Sequence, residues 1–201
     1  MTLKMKWVAL KLGLLMGSAQ ALEVSVEVQN LTHGIYFTPL LITAHDSDSQ
    51  LFQLGQAASA ELQAMAEGGD ISGLVTQLES AGGNITANPA EGLLAPGAMT
   101  PTVSFSTEGS DNTHLSLVAM MLPTNDGFVG LDSWKLPESA GTYTVYLNAY
   151  DAGTEANDEG AKWADIAGGW RNRPQACNHA GDNAQYARFA MLYPFTGHPG
   201  Q

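Results

Sequence analysis

Cysteine occurs once in these 201 residues, at Cys177, so no internal disulfide can close. Stability has to come from core burial, with bound metal as the other available staple. Basic residues are nearly as scarce, with 8 Lys and Arg against 20 Asp and Glu. That balance excludes nucleic acid as a partner, because neutralising phosphates takes a basic surface. It also disfavours an anionic membrane unless a cation bridges the two. The chain has no Gly-x-Ser-x-Gly elbow and no phosphate-cradling glycine loop ahead of a helix, so neither a hydrolase triad nor a nucleotide site is supported. Carboxylate pairs are too abundant here to point to glycoside hydrolysis.

The only long apolar run lies at the N-terminus. Lys4, Lys6 and Lys11 give it a positive start, residues 7–16 an apolar centre, and Ala19-Gln20-Ala21 a small-residue cleavage site. Lys11 interrupts the run, which is too short to span a bilayer. Residues 1–21 are therefore expected to be a signal peptide, leaving a single domain over 22–201 and no transmembrane segment after cleavage. Cleavage takes the basic residues from 8 to 5 against 20 acidic ones, a net charge of −15. The expected location is outside the cytoplasm: periplasm, outer cell surface or secreted.

Within the domain the hydrophobic period changes twice. Val24-Ser25-Val26-Glu27-Val28 alternates as a half-buried strand does, and residues 35–42 continue in that manner with Pro39 at an edge or bulge. Residues 57–67 are rich in helix formers and stop at Gly68-Gly69; a second short helix is expected from Asp70 as N-cap to Ser80. Strands return over 100–107, 114–122 and 142–150, with a last one over 188–193. The segment from about residue 152 is loop-rich. The fold class predicted is mainly β, an antiparallel β-sandwich with one or two short helices inserted around residues 55–80.

Two oxygen-rich stretches sit at strand ends. Thr124-Asn125-Asp126-Gly127 follows the strand over 114–122, and Tyr150-Asp151-Ala152-Gly153 follows the strand over 142–150. Pairing of those strands would bring Asp126 and Asp151 together, and calcium takes oxygens from carboxylates, carbonyls and water. Ordinary turn chemistry explains either stretch alone. The residues after Asp151 lack the spacing of an EF-hand loop.

In order and spacing, residues 114–121, 125–131 and 150–155 resemble the N-terminal spondin domain, and Asn30-Leu31-Thr32, Thr43-Ala44-His45-Asp46 and residues 55–69 look like its bacterial form. The resemblance covers about residues 24–160. It implies a sandwich akin to calcium-dependent lipid-binding domains, with the ion held by Asp126, Asp151 and the backbone carbonyl of Leu147.

A second constellation is His45 and His114. Their separation of 69 residues makes any pairing tertiary, and two imidazoles with a further ligand suit copper or zinc. Structural roles, capping a loop or bonding a carbonyl, are the ordinary alternative. Residues 34–45 also resemble the exported copper-binding proteins of methane-oxidising bacteria, in which two histidines and an oxidised tryptophan hold copper. This chain has no tryptophan near His45; those outside the leader are Trp134, Trp163 and Trp170. His33, His179, His198 and Cys177 form no convincing set.

The expectation is an exported, non-enzymatic metal-binding protein, with calcium at the strand-end loops and copper at the histidine pair, serving copper sequestration or surface delivery. The alternative is a calcium-stabilised adhesion or matrix module whose partner is a surface protein or polysaccharide.

Overall fold

The computed structural model describes residues 23–155 and 187–192. The leader and most of the loop-rich C-terminal segment lie outside the described residues. The elements run β1 (Glu23–Asn30), β2 (Tyr36–Phe37), β3 (Leu41–His45), α1 (Ala60–Gly68), α2 (Ser72–Ser80), β4 (Asn84–Ala87), β5 (Val103–Ser106), β6 (His114–Leu122), β7 (Gly127–Lys135), β8 (Thr142–Asp151) and β9 (Ala187–Leu192). The strands pair in the order β4-β3-β6-β7-β8-β9-β1-β5, with β2 also on β6, and the pairings are antiparallel. The predicted antiparallel β-sandwich with two inserted helices is the fold observed.

β8 joins the two layers. Residues 142–147 pair with β9, whereas residues 148–151 pair with β7, so one strand serves both sheets. Between the sheets, Val24, Val26 and Val28 of β1 meet Leu115, Leu117 and Ala119 of β6, together with Val129 and Leu147. The alternation in β1 exists because its other face is more exposed.

β3 and the middle of β6 are buried at every position, which a two-layer sandwich does not require. The reason is a third layer. Helix residues Leu62, Met65, Leu74 and Leu78 cover the outer face of the sheet and pack on Leu41, Val118, Met120 and Phe128. Burial of each such side chain is worth roughly 1.5–3 kcal/mol, so this second core is a major part of the stability.

Local chemistry sets the helix ends. The Ser59 side chain accepts from the Leu62 amide at 3.1 Å, and Gly69, at φ 69°, closes α1 in the left-handed conformation that glycine tolerates best. For α2 the N-cap is Ile71 instead of the expected Asp70. The Asp70 carboxylate nevertheless accepts from the Ser72 amide at 2.9 Å, one residue outside the standard position.

Three strand expectations need correction. The run 35–42 is split into β2 and β3 around Pro39, which has no amide to donate to a ladder. β4 is an unforeseen strand on the edge beyond β3. Most important, no strand was expected over 127–135, yet Gly127, read as the end of the oxygen-rich stretch 124–127, begins β7. The turn occupies only residues 123–126, and the following chain pairs on both sides, with β6 and β8.

Candidate metal centres

Asp126 precedes β7, and Gly127 stands opposite Asp151 of β8. The expected pairing of the strands over 114–122 and 142–150 is absent, because β7 lies between β6 and β8; the two acidic positions come near through the β7–β8 pairing instead. Asp126 is not a solvated turn residue: it is only 1% exposed. Its Oδ2 accepts from the amides of Thr154 and Glu155 at 3.0 and 3.2 Å, and its backbone carbonyl accepts from Ala152 at 3.1 Å. The carboxylate thus folds the chain after β8 back over the 123–126 turn. Asp151 is exposed, and its Oδ1 accepts from the Gly153 amide at 2.7 Å.

One polar atom in this loop pair is left over. The Thr154 hydroxyl is buried with no hydrogen-bond partner, on the same residue whose amide holds Asp126. An orphaned buried hydroxyl costs roughly 1–3 kcal/mol unless something supplies a partner. A hard cation or its bound water would do so, and a carboxylate with a nearby hydroxyl is a suitable donor set for calcium. The residues fit the ion in kind.

Leu147 lies farther back along β8. It is fully buried in the inter-sheet core and stands opposite Ala187 of β9. Four residues of regular strand separate it from Asp151, about 13 Å at 3.3 Å per residue.

His45 ends β3 and His114 begins β6, and the register sets them directly opposite each other. Their ring centroids are 6.3 Å apart with planes 25° from parallel. His45 is 1% exposed and both of its nitrogens are engaged. Nδ1 lies 2.7 Å from the Asp46 carbonyl, which can only accept, so Nδ1 carries the proton. Nε2 lies 2.7 Å from Ser116 Oγ and accepts from that hydroxyl. Ser116 in turn accepts from the Ser133 amide at 2.8 Å.

A register shift in the β6–β7 ladder between Leu115 and Leu117, with Ser133 at φ 49°, aims that amide at Ser116. The Ser116 hydroxyl and His45 have the spacing of a nucleophile and its base, yet both are buried, so no substrate carbonyl can reach them.

His114 is less enclosed, and its Nδ1 lies 3.1 Å from the Thr113 hydroxyl. Its pKa is pushed below the ordinary histidine value by burial first, then by His45 and Lys135. Neutral imidazole is the metal-binding form, so less proton has to be displaced here, but the same burial and the Lys135 charge also oppose a bound cation. A copper ion on His45 Nε2 would have to displace Ser116. Among the described residues no group of three or more His, Cys, Asp or Glu is placed to hold a metal.

Sequence reasoning did not assign roles to Ser116, Ser133 and Thr154. The one signal available was the i, i+2 spacing of His114 and Ser116, which puts them on one face of β6. No helix among the described residues is long and apolar enough to cross a membrane. The family model described as Spondin_N matches residues 29–164, more than half of the chain. No match was found among curated proteins.

Proposed function

We propose, from the premise that this chain belongs to the Spondin_N family, that it is an exported, non-enzymatic metal-binding module whose strand-end loops hold calcium through Asp126 and Asp151. The observation that carries the reading is the buried Asp126 carboxylate, next in sequence to the residue opposite Asp151, with the partnerless Thr154 hydroxyl in the same loop pair. A bound cation would complete the partners of these groups. It would also fasten the 152–155 segment to the 123–126 turn.

Copper at His45 and His114, for sequestration or surface delivery, is the second part of the proposal. Their cross-strand register and the 6.3 Å between their ring centroids support it. Adhesion, with calcium only stiffening a surface that meets a protein or polysaccharide, is the competing use of the same module. Export rests on the basic leader and the Ala19-Gln20-Ala21 site, and it fits the typically extracellular setting of spondin domains.

The deciding experiment is thermal unfolding of metal-stripped protein with calcium or chelator. A ligand that binds only the native state adds roughly 2.7 kcal/mol at a hundredfold excess over Kd. Asp126→Asn and Asp151→Asn should each remove that gain. A melting temperature indifferent to calcium overturns the calcium reading. Copper titration of His45→Ala and His114→Ala tests the other centre, and undiminished binding in both variants overturns it.

A further inference from the structure

Beside the paired ends of β7 and β8 lies a cleft of about 250 Å³, walled by the segment 50–59 ahead of α1 and by residues 150–152. Its apolar side is built from three rings. Phe52 meets Phe128 edge-on at 5.1 Å between centroids and Tyr150 at 4.9 Å, and Phe128 and Tyr150 are 5.4 Å apart. Two devices hold Phe52 there. Asp132 Oδ1 accepts from the Leu51 amide at 2.7 Å, and Gly130 lacks the Cβ that would stand 2.8 Å from the Phe52 ring.

The polar side of the cleft carries Gln50, Gln53, Gln56 and Ser59, and among the described residues Asp151 is the only charged one in the lining. We propose that this cleft binds one neutral pyranose unit of a glycan or polysaccharide, its apolar face on the Phe52–Tyr150 side and its hydroxyls on the glutamine amides.

The choice of ligand follows from what the lining offers and withholds. With no Lys or Arg among the described lining residues, a phosphate, sulfate or uronate meets no counter-charge from them, and Asp151 repels it. An ammonium cage needs rings spaced around the cation within about 6 Å of each centroid, whereas these rings lie against one another and leave no room between them. A purely apolar side chain would leave three primary amides facing it without partners, which is costly. Each glutamine amide is both donor and acceptor, matching hydroxyls that are the same. The volume falls below the roughly 300 Å³ at the lower end of drug-sized pockets, so one ring enters, not an oligomer. The inference goes beyond metal binding and stands without either ion.

The test is an NMR titration of the full exported chain with the methyl pyranosides of glucose, galactose, mannose and N-acetylglucosamine, and separately with N-acetylphenylalaninamide. Each titration is run in calcium and in chelator. At least one pyranoside should shift the amides of 50–59 and 150–152 saturably, with Kd of roughly 10 mM or tighter. Gln53→Ala, at an exposed position that leaves the packing intact, should weaken it at least about fivefold, one lost hydrogen bond in energy. Gly130→Ala should abolish it by displacing Phe52.

Persistence of sugar binding in chelator separates this site from the calcium reading. The proposal is overturned if no pyranoside saturates, if only N-acetylphenylalaninamide binds, or if Gln53→Ala leaves sugar binding unchanged.

Discussion

Replacing Ser116 by alanine removes one oxygen from a completely buried position and leaves no appreciable cavity. The cost is therefore almost entirely polar. Two groups lose their partner at once: His45 Nε2, 2.7 Å from the hydroxyl, and the Ser133 amide, 2.8 Å from it. Exchanging the His45 tautomer gives no relief, because the Asp46 carbonyl would then face a lone pair on Nδ1. Each orphaned buried group costs roughly 1–3 kcal/mol, so with two of them Ser116→Ala should lower stability by about 2–6 kcal/mol.

The same substitution acts in the opposite direction on copper. A metal on His45 Nε2 must break the Ser116 bond in the wild type, and a typical hydrogen bond is worth about 1 kcal/mol net. Freed of it, the variant should bind copper about fivefold more tightly. Urea unfolding gives the first quantity and copper titration at neutral pH the second. A loss under about 0.5 kcal/mol, the range of an ordinary surface change, would refute the assigned hydrogen-bond chain. Copper affinity that falls in the variant would refute Nε2 as the ligand atom.

Acid should weaken the fold through His114. Its folded pKa lies below the unfolded value of about 6.5, so between the two the unfolded chain binds more protons. Stability is then fully present above pH 6.5 and falls as the pH drops toward the folded pKa. His114→Gln should flatten the slope of the urea midpoint between pH 7 and 5, and a steeper slope in the variant contradicts it. Thr154→Val replaces the partnerless hydroxyl with a methyl and should stabilise metal-free protein by about 1 kcal/mol while reducing the calcium gain. Asp126→Ala strands two amides and should cost about 3 kcal/mol in chelator, as read by denaturant midpoint. Gly130→Ala, forcing a Cβ to within 2.9 Å of two Phe52 ring atoms, should cost about 1–3 kcal/mol by overpacking, as read in the same assay.

The sequence by itself determined the elements whose signals are local. Alternation in residues 24–28 marks β1 because one face of that strand is buried and the other is not, and the helix formers between Ser59 and Gly69 carry their own stop signals. Composition settled the absence of an internal disulfide and of a basic binding surface. The two acidic stretches at strand ends were legible, but not the pairing that brings them near: the strands over 114–122 and 142–150 do not pair with each other, because β7 lies between them.

What the sequence could not yield is everything that depends on a second partner arriving from elsewhere. β7 looks like a glycine-rich loop until β6 and β8 flank it, and only then do Gly127 and Gly130 read as places of close approach, to Thr124 and Phe52. The distance from Leu147 to Asp151 follows from β8 staying extended, which spacing alone does not state. Nor does any local pattern announce that His45, seventy-one residues from Ser116, finds its hydroxyl there. A side chain's chemistry is written in its residue type, but its burial and the partner of each lone pair are set by long-range register, and that only the tertiary structure decides.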